Sequence, residues 1–265
     1  MITAEDVRVT FGKKTAVDNV SLTVPDTGTL GLVGPNGSGK TTLLRALYGS
    51  VPLAGGRVLL GGEDLQEIQR RQIARTIAVV AQERDATSAG VPMSVAELVM
   101  LGRLPHQTSA SHDREVVTGA LDAVGMTALA RRDLAELSGG ERQRALIARA
   151  LAQQTAHILL DEPTNHLDIR FQHEILELIA GLPGSVVVLH DLNLAARYCD
   201  RIVVLQDGRV AAEGPPDEVL VPEILEPVYH RPVRRIDLDG EITLIYPRIP
   251  AREVREAQEA QKATA

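Results

Sequence analysis

The sequence predicts an α/β protein in which a mostly parallel sheet is covered by helices, with an antiparallel β segment ahead of it and a helical insertion within it. Three observations carry that prediction. Short apolar runs of strand length, centred on Leu159, Val187 and Val203, alternate with stretches of helical period. The first sixty residues alternate at period two, so that Val7, Val9 and Phe11 fall on one face, followed by Val20, Leu22 and Val24. From residue 82 to about residue 149 the period becomes helical.

Taken in order, the antiparallel strands lead to Thr29, Leu30, Gly31, Leu32 and Val33, a short buried strand. A glycine-rich turn follows, and residues 42–47 read as the opening of a helix. The next strand is bracketed by Gly55-Gly56 and Gly61-Gly62, and another over 77–80 runs into Gln82. Ser94 and Glu97 have capping-box spacing, with Val95, Leu98 and Val99 on one side of the helix they open. Val116, Val117, Ala120, Leu121 and Val124 form a second helical stripe. Strands over 158–160, 186–189 and 202–205 then enclose a helix containing Ile175 and Ile179. Asp207-Gly208 and Asp239-Gly240, each between apolar runs, mark hairpin turns. The expected organisation is one domain over 1–250, with the helical insertion over about 83–150. The tail over 251–265 is polar and has no hydrophobic stripe, so it is expected to be frayed or disordered.

At 265 residues the chain can bury a real core. Its net charge of -7 supplies no global positive field, so nucleic acid is not an expected partner. Aromatics at 2% and the absence of Trp argue against a base-stacking surface. The single cysteine, Cys199, excludes an internal disulfide and sits in an apolar-patterned stretch, as a core residue would. No signal peptide opens the sequence, and no apolar run approaches the roughly 18 residues needed to cross a bilayer. A soluble, cytosolic chain is expected.

The chemistry begins at Gly34-Pro35-Asn36-Gly37-Ser38-Gly39-Lys40-Thr41, which fits G-x-x-x-x-G-K-[ST] and lies between strand and helix. Such a turn lets backbone N–H groups converge on a polyphosphate, and the helix N-terminus adds favourable partial charge. Lys40 supplies a point charge for the terminal phosphates, and the Thr41 hydroxyl can ligate Mg²⁺. The expectation is a nucleoside triphosphate site. Leu137-Ser138-Gly139-Gly140-Glu141 is the second element: Ser138 and Glu141 form a capping box, and the glycine pair lets a phosphate approach the helix N-terminus. By itself this could be a well-capped helix and nothing more. One nucleotide does not need two anion sites in one monomer, so the second makes sense if it serves the nucleotide of a partner copy.

With His157-Ile158-Leu159-Leu160-Asp161-Glu162-Pro163 and then His190 at the end of the next strand, the ordered set resembles an ABC-type ATPase over nearly the whole chain to about residue 250. The resemblance implies the ABC ATPase fold on a P-loop NTPase core, with ATP and Mg²⁺ as cofactors. It implies that Gly34, Asn36, Gly37, Ser38, Gly39, Lys40, Thr41 and Thr42 hold the phosphates of ATP, with Phe11 stacking on adenine. Phe11 shares a face with Val7 and Val9, so a purely core role is an equal alternative. Ser138, Gly139 and Gly140 would meet the nucleotide of the other copy in a head-to-tail homodimer, and Asp168 would lie in the loop that crosses between copies. Asp168 also reads as the N-cap of the following helix. Asp161, Thr41 and Gln82 would serve Mg²⁺. Glu162 would polarise the attacking water, with His190, Gln82 and Lys40 as further catalytic residues.

Finer resemblance, in Leu101-Gly102-Arg103-Leu104-Pro105-His106, in the segment from Asp161 to Asp168, and in His190-Asp191-Leu192-Asn193-Leu194-Ala195, is to ATPases of iron-chelate importers. That branch implies a separate transmembrane permease docking near residues 94–105, with Leu98, Met100, Leu101 and Leu104 as candidate apolar contacts, although some of them must belong to the core of the insertion. It also implies an extracytoplasmic substrate-binding protein acting indirectly, and a location on the cytoplasmic face of the membrane. Iron–siderophore is the first reading of the cargo, with haem and vitamin B12 next. The rival readings are a soluble ABC ATPase of iron–sulfur cluster assembly and, from other branches, DNA-repair or ribosome-associated ATPases. The acidic charge and the absence of a long coiled coil or a second ATPase unit disfavour the last two.

Overall fold

The computed structural model describes residues 1–81, 92–165, 167–182 and 184–248. Period-two alternation makes β1 (Ile2–Phe11) and β2 (Lys14–Val24) antiparallel partners, and β4 (Gly55–Leu60) with the two-residue β5 (Glu63–Asp64) extends them into a sheet of order β2-β1-β4-β5. The second sheet is built from β3 (Gly28–Val33), β6 (Ile77–Val80), β7 (His157–Asp161), β8 (Gly184–Val188), β9 (Arg201–Gln206) and β10 (Arg209–Gly214). Its order is β10-β9-β3-β8-β7-β6, parallel throughout except for the edge strand β10, which returns antiparallel to β9. The β9–β10 turn is Asp207-Gly208, both at positive φ, as the sequence predicts. Asp239-Gly240 does the same between β11 (Arg234–Leu238) and β12 (Glu241–Ile245).

Because the parallel strands are covered on both faces, alternate residues of each strand feed two cores. Leu30, Leu32, Leu159, Val186, Val188 and Val203 pack with helix α1 (Lys40–Leu47) and the antiparallel sheet. Ile158, Leu160, Val187, Ile202 and Val204 join the other core, with α6 (Ile169–Ala180) and α7 (Leu192–Tyr198). Helix α1 is thereby wedged between the two sheets. Cys199 is buried and its thiol is pushed up to about 12 by desolvation, which makes it the inert core residue expected.

The helical insertion contains α3 (Val95–Met100), α4 (Ala110–Ala123) and α5 (Gly139–Ala152), which pack on one another around Val95, Val99, Leu121 and Leu146. Both capping boxes foreseen in the sequence form, at Ser94/Glu97 and at Ser138/Glu141. Leu98 belongs to this core, as some of the four apolar candidates were expected to. Met100 is half-buried, while Leu101 and Leu104 are exposed. What holds those two outward is a buried polar knot. The Arg103 guanidinium donates to Asp113 Oδ1 at 2.8 Å, the Ala152 carbonyl at 2.7 Å and Gln154 Oε1 at 2.9 Å. Gly102 is required beside it, since a Cβ there would overlap the Arg149 carbonyl. From the other side, Arg71 and Arg75 of α2 (Arg70–Thr76) both donate to the Pro105 carbonyl, at 3.0 and 2.8 Å.

Arg103→Met should therefore cost about 3 kcal/mol, mainly through the acceptors left unpaired at the buried end of α5. That corresponds to a fall in Tm of roughly 5–10 °C for a domain of this size. Thermal denaturation followed by circular dichroism checks it, and an unchanged Tm would remove the knot as a structural element.

Candidate functional site

Strand β3 is central, and the chain leaves its C-terminal end into the turn that precedes α1. Gly34 and Gly39 sit there at φ +145° and +103°. A Cβ on either would overlap a main-chain carbonyl, of Leu205 and Ala16 respectively, so the turn runs hard against its neighbours. It is anchored by the Gly208 N–H donating to the Ser38 carbonyl at 3.0 Å. The Leu43 N–H, donating to the Gly39 carbonyl at 2.8 Å, closes the first helical turn, and Gly39 offers no side-chain cap. The N–H groups of Lys40, Thr41 and Thr42 thus precede the first intrahelical bond and lack helical acceptors. The Ser38 hydroxyl is buried in the same cradle with no hydrogen-bond partner. Orphan donors and a buried orphan hydroxyl at one helix N-terminus are what a polyphosphate would satisfy.

The cradle opens on a cleft of about 240 Å³ whose walls include Phe11, Lys14, Asn36, Gly37, Lys40 and Glu162. Lys40 is 5% exposed, and its ammonium donates to the Gly34 carbonyl at 2.7 Å and the Pro35 carbonyl at 3.0 Å. Desolvation draws its pKa down, opposed by Glu162 and Asp161. Phe11 is 53% exposed on the cleft rim, which overturns the purely core alternative. It keeps the alternation of Val7 and Val9 but is the last residue of β1, beyond the packing that buries those two.

Asp161 ends β7, the neighbour of β8 in the sheet, and accepts from the Thr41 hydroxyl at 3.0 Å. Burial pushes its carboxyl up, and the Glu162 charge adds to the shift against the opposing Thr41 hydrogen bond. Two hard oxygens in contact, one a carboxylate destabilised by burial, suit a small divalent cation. The adjacent Glu162 has φ +54°, uncommon for a residue with a side chain. Its Oε1 accepts from His190 Nε2 at 2.6 Å, and its Oε2 accepts from the Asn165 carboxamide. His190 is exposed just beyond β8. Asp168 caps α6, accepting from the Phe171 N–H at 3.0 Å.

Ser138 and Gly139 are exposed at the N-terminus of α5, where Ser138 accepts from the Glu141 N–H at 3.3 Å and its own N–H donates to Glu141 Oε2 at 2.8 Å. Neither they nor Gly140 line the cleft. Gln82, the tail over 251–265, and His166 of the loop after Glu162 lie outside the described residues. Sequence reasoning placed Asn165 in that loop but missed its bond to Glu162. It also missed Asn193, whose side chain pairs with both backbone groups of Leu244 and ties α7 to β12.

A family model described as ABC transporter matches residues 17–165. The chain is 42% identical over 234 residues to the ferric enterobactin transport ATP-binding protein of Escherichia coli (strain K12), covering 85% of each. It is also 42% identical over 238 residues to the hemin import ATP-binding protein of Pseudomonas fluorescens Pf-5, covering 86% of this chain and 92% of that one. Among solved structures, a metal-chelate type ABC transporter in an inward-facing conformation superposes with a TM-score of 0.78 at 26% identity, covering 95% of this chain and 98% of that one.

Proposed function

This chain belongs to the ABC transporter family of ATP-binding proteins, and from that premise we propose that it is the ATP-hydrolysing subunit of an importer of iron chelates, iron–siderophore first and haem next. The observation that supports ATP hydrolysis is one cleft lined by both the buried Lys40 and the Glu162 carboxylate braced by His190, and the importer branch is supported by the relatives. In this reading the amides of residues 37–42, the Ser38 hydroxyl and Lys40 hold the phosphates, and Phe11 meets the base. Glu162 orients and polarises the attacking water, and His190 steadies Glu162 and reaches the terminal phosphate. Thr41 and Asp161, with Gln82, would hold Mg²⁺, which when bound neutralises developing phosphate charge.

Subunits of this kind act as dimers on membrane permeases, and the site geometry fits that arrangement. The α5 N-terminus at Ser138, Gly139 and Gly140 lies outside this chain's own cleft and is free to close on the nucleotide of a second copy. Closure of two such sites couples hydrolysis to opening and closing. Among the described residues no helix is long and apolar enough to cross a membrane. The permease would come from another chain, docking on the insertion where Leu101 and Leu104 stand exposed, with the complex on the cytoplasmic face of the membrane. A substrate-binding protein would act through that permease. Cargo is selected by those partners, and the equal identity to the enterobactin and hemin relatives means that similarity alone does not rank them.

The test is a pull-down from membranes with tagged Glu162→Gln chain and ATP, its retained proteins identified by mass spectrometry. A multi-spanning permease is expected, and Leu104→Asp should reduce its recovery several-fold. Recovery of soluble scaffold proteins with nothing from the membrane would overturn the importer reading in favour of an iron–sulfur assembly ATPase.

A further inference from the structure

The loop between β7 and α6 is stitched in a way that the assignment of Glu162 does not by itself explain. Glu162 turns the chain at positive φ, and the Asn165 N–H returns to the Glu162 carbonyl at 3.2 Å, closing a tight turn. Across that turn the Asn165 side-chain N–H₂ donates to Glu162 Oε2, while His190 Nε2 holds Oε1. Both carboxylate oxygens are therefore gripped, one from within the loop and one from the end of the neighbouring strand. The loop is itself pinned to the helix that follows. The Gln172 carboxamide, on the first turn of α6, donates to the Thr164 carbonyl at 3.3 Å and to the Leu167 carbonyl at 3.2 Å. The turn carrying Asn165 thus lies between a buried strand and a capped helix.

A glutamate used to orient water has three rotatable side-chain bonds, and only one arrangement aims a lone pair at the reacting atom. Holding one oxygen leaves the carboxylate free to swing about that contact, whereas holding both fixes its plane. A neutral amide donor suits this task. It favours the ionised form that accepts a proton, carries no charge of its own to repel the phosphates, and has no acid proton to give up.

We propose that Asn165 is a positioning residue that fixes the Glu162 carboxylate for attack, and that Gln172 keeps the loop bearing Asn165 in register. This rests on the reading of Glu162 as the catalytic base. Asn165 touches neither phosphate nor water in this role; it acts through Glu162.

The test is steady-state ATP hydrolysis, with kcat and KM separated, for the full chain and its variants. Asn165→Ala should lower kcat roughly tenfold with the KM for ATP unchanged. Asn165→Asp keeps the shape but replaces the amide donor by a carboxylate, so it should lower kcat at least as far as Asn165→Ala, whereas Asn165→Gln, which keeps a donor, should recover part of the rate. A merely structural residue would be served nearly as well by the isosteric aspartate. Gln172→Ala should give a smaller loss in kcat, also without a change in KM. In the Glu162→Gln background, Asn165→Ala should cause no further loss of residual rate and leave ATP-driven dimerisation intact. A kcat within twofold of wild type for Asn165→Ala or for Asn165→Asp would overturn the inference. So would loss of dimerisation in the double variant, which would place Asn165 across the interface instead. The underlying assignment fails separately: it falls if Glu162→Gln alone retains wild-type turnover.

Discussion

Glu162→Gln should bind ATP as wild type does and hydrolyse it roughly 10²-fold more slowly or worse, the loss expected when a general base is removed. The substitution is close to isosteric, and the amide oxygen of glutamine can still accept from His190. Its N–H₂ would face the donor of Asn165, but the Asn165 carboxamide can rotate to present its oxygen, so the clamp survives with reversed polarity. Only the proton-accepting capacity is lost. The phosphate cradle, built from main-chain amides, Ser38 and Lys40, is untouched. Binding by calorimetry and turnover by phosphate release therefore separate cleanly: affinity within a few-fold, kcat down by two orders of magnitude. Nucleotide held without hydrolysis should also trap the closed pair of copies, visible as an ATP-dependent dimer in size-exclusion chromatography. Wild-type turnover would remove Glu162 from the chemistry altogether.

Much of this architecture was legible in the residues because local signals agreed with the global pattern. Strand lengths came out to within about two residues for β7, β8 and β9, since a strand buried on both faces must be a short continuous apolar run. Asp-Gly turns and Ser-x-x-Glu caps report backbone geometry directly, and all four formed. What stayed hidden depended on tertiary partners. Phe11 was read as an equal candidate for the core because period-two spacing gives the face of a residue but not where the packing against that face ends. Leu98 and Leu104 look alike as apolar residues on a helical stretch. Tertiary packing decides which one faces out: Leu98 is buried with Val95 and Val99 in the core of the insertion, while Leu104 follows Arg103, whose partners lie at Asp113, Ala152 and Gln154. The segment from Leu101 to His106, which marked the importer branch, thus works first as a structural clasp. Asn165 shares that obscurity: its loop could be recognised, but a hydrogen bond to Glu162 cannot be read from a spacing of three.

Lys40→Ala should weaken ATP binding by at least 100-fold, about 2.7 kcal/mol, while leaving the fold standing. The argument turns on where the ammonium lies. Lys40 is buried and its ammonium donates to the carbonyls of Gly34 and Pro35, so its charge is met there by dipoles and desolvation already costs it proton affinity. A polyphosphate arriving in the cradle offers a formal negative charge in place of two carbonyl dipoles, and in a desolvated site that exchange is worth far more than in water. Removing the ammonium deletes this gain, and the backbone donors around it cannot replace the charge. Helix α1 should persist in the variant, because Leu43, Leu44 and Leu47 anchor it between the two sheets independently of Lys40. Lys40→Arg should not rescue binding: a planar fork cannot lie where a slender stem reaches two carbonyls in a closed turn. Thermal denaturation with and without ATP reads both halves of the claim. Wild type should gain stability from ligand by mass action, whereas Lys40→Ala should melt near the wild-type ligand-free Tm and show no ATP-dependent rise. A rise equal to that of wild type would mean that the amides alone carry the affinity, and the lysine would then have to be assigned to the transition state.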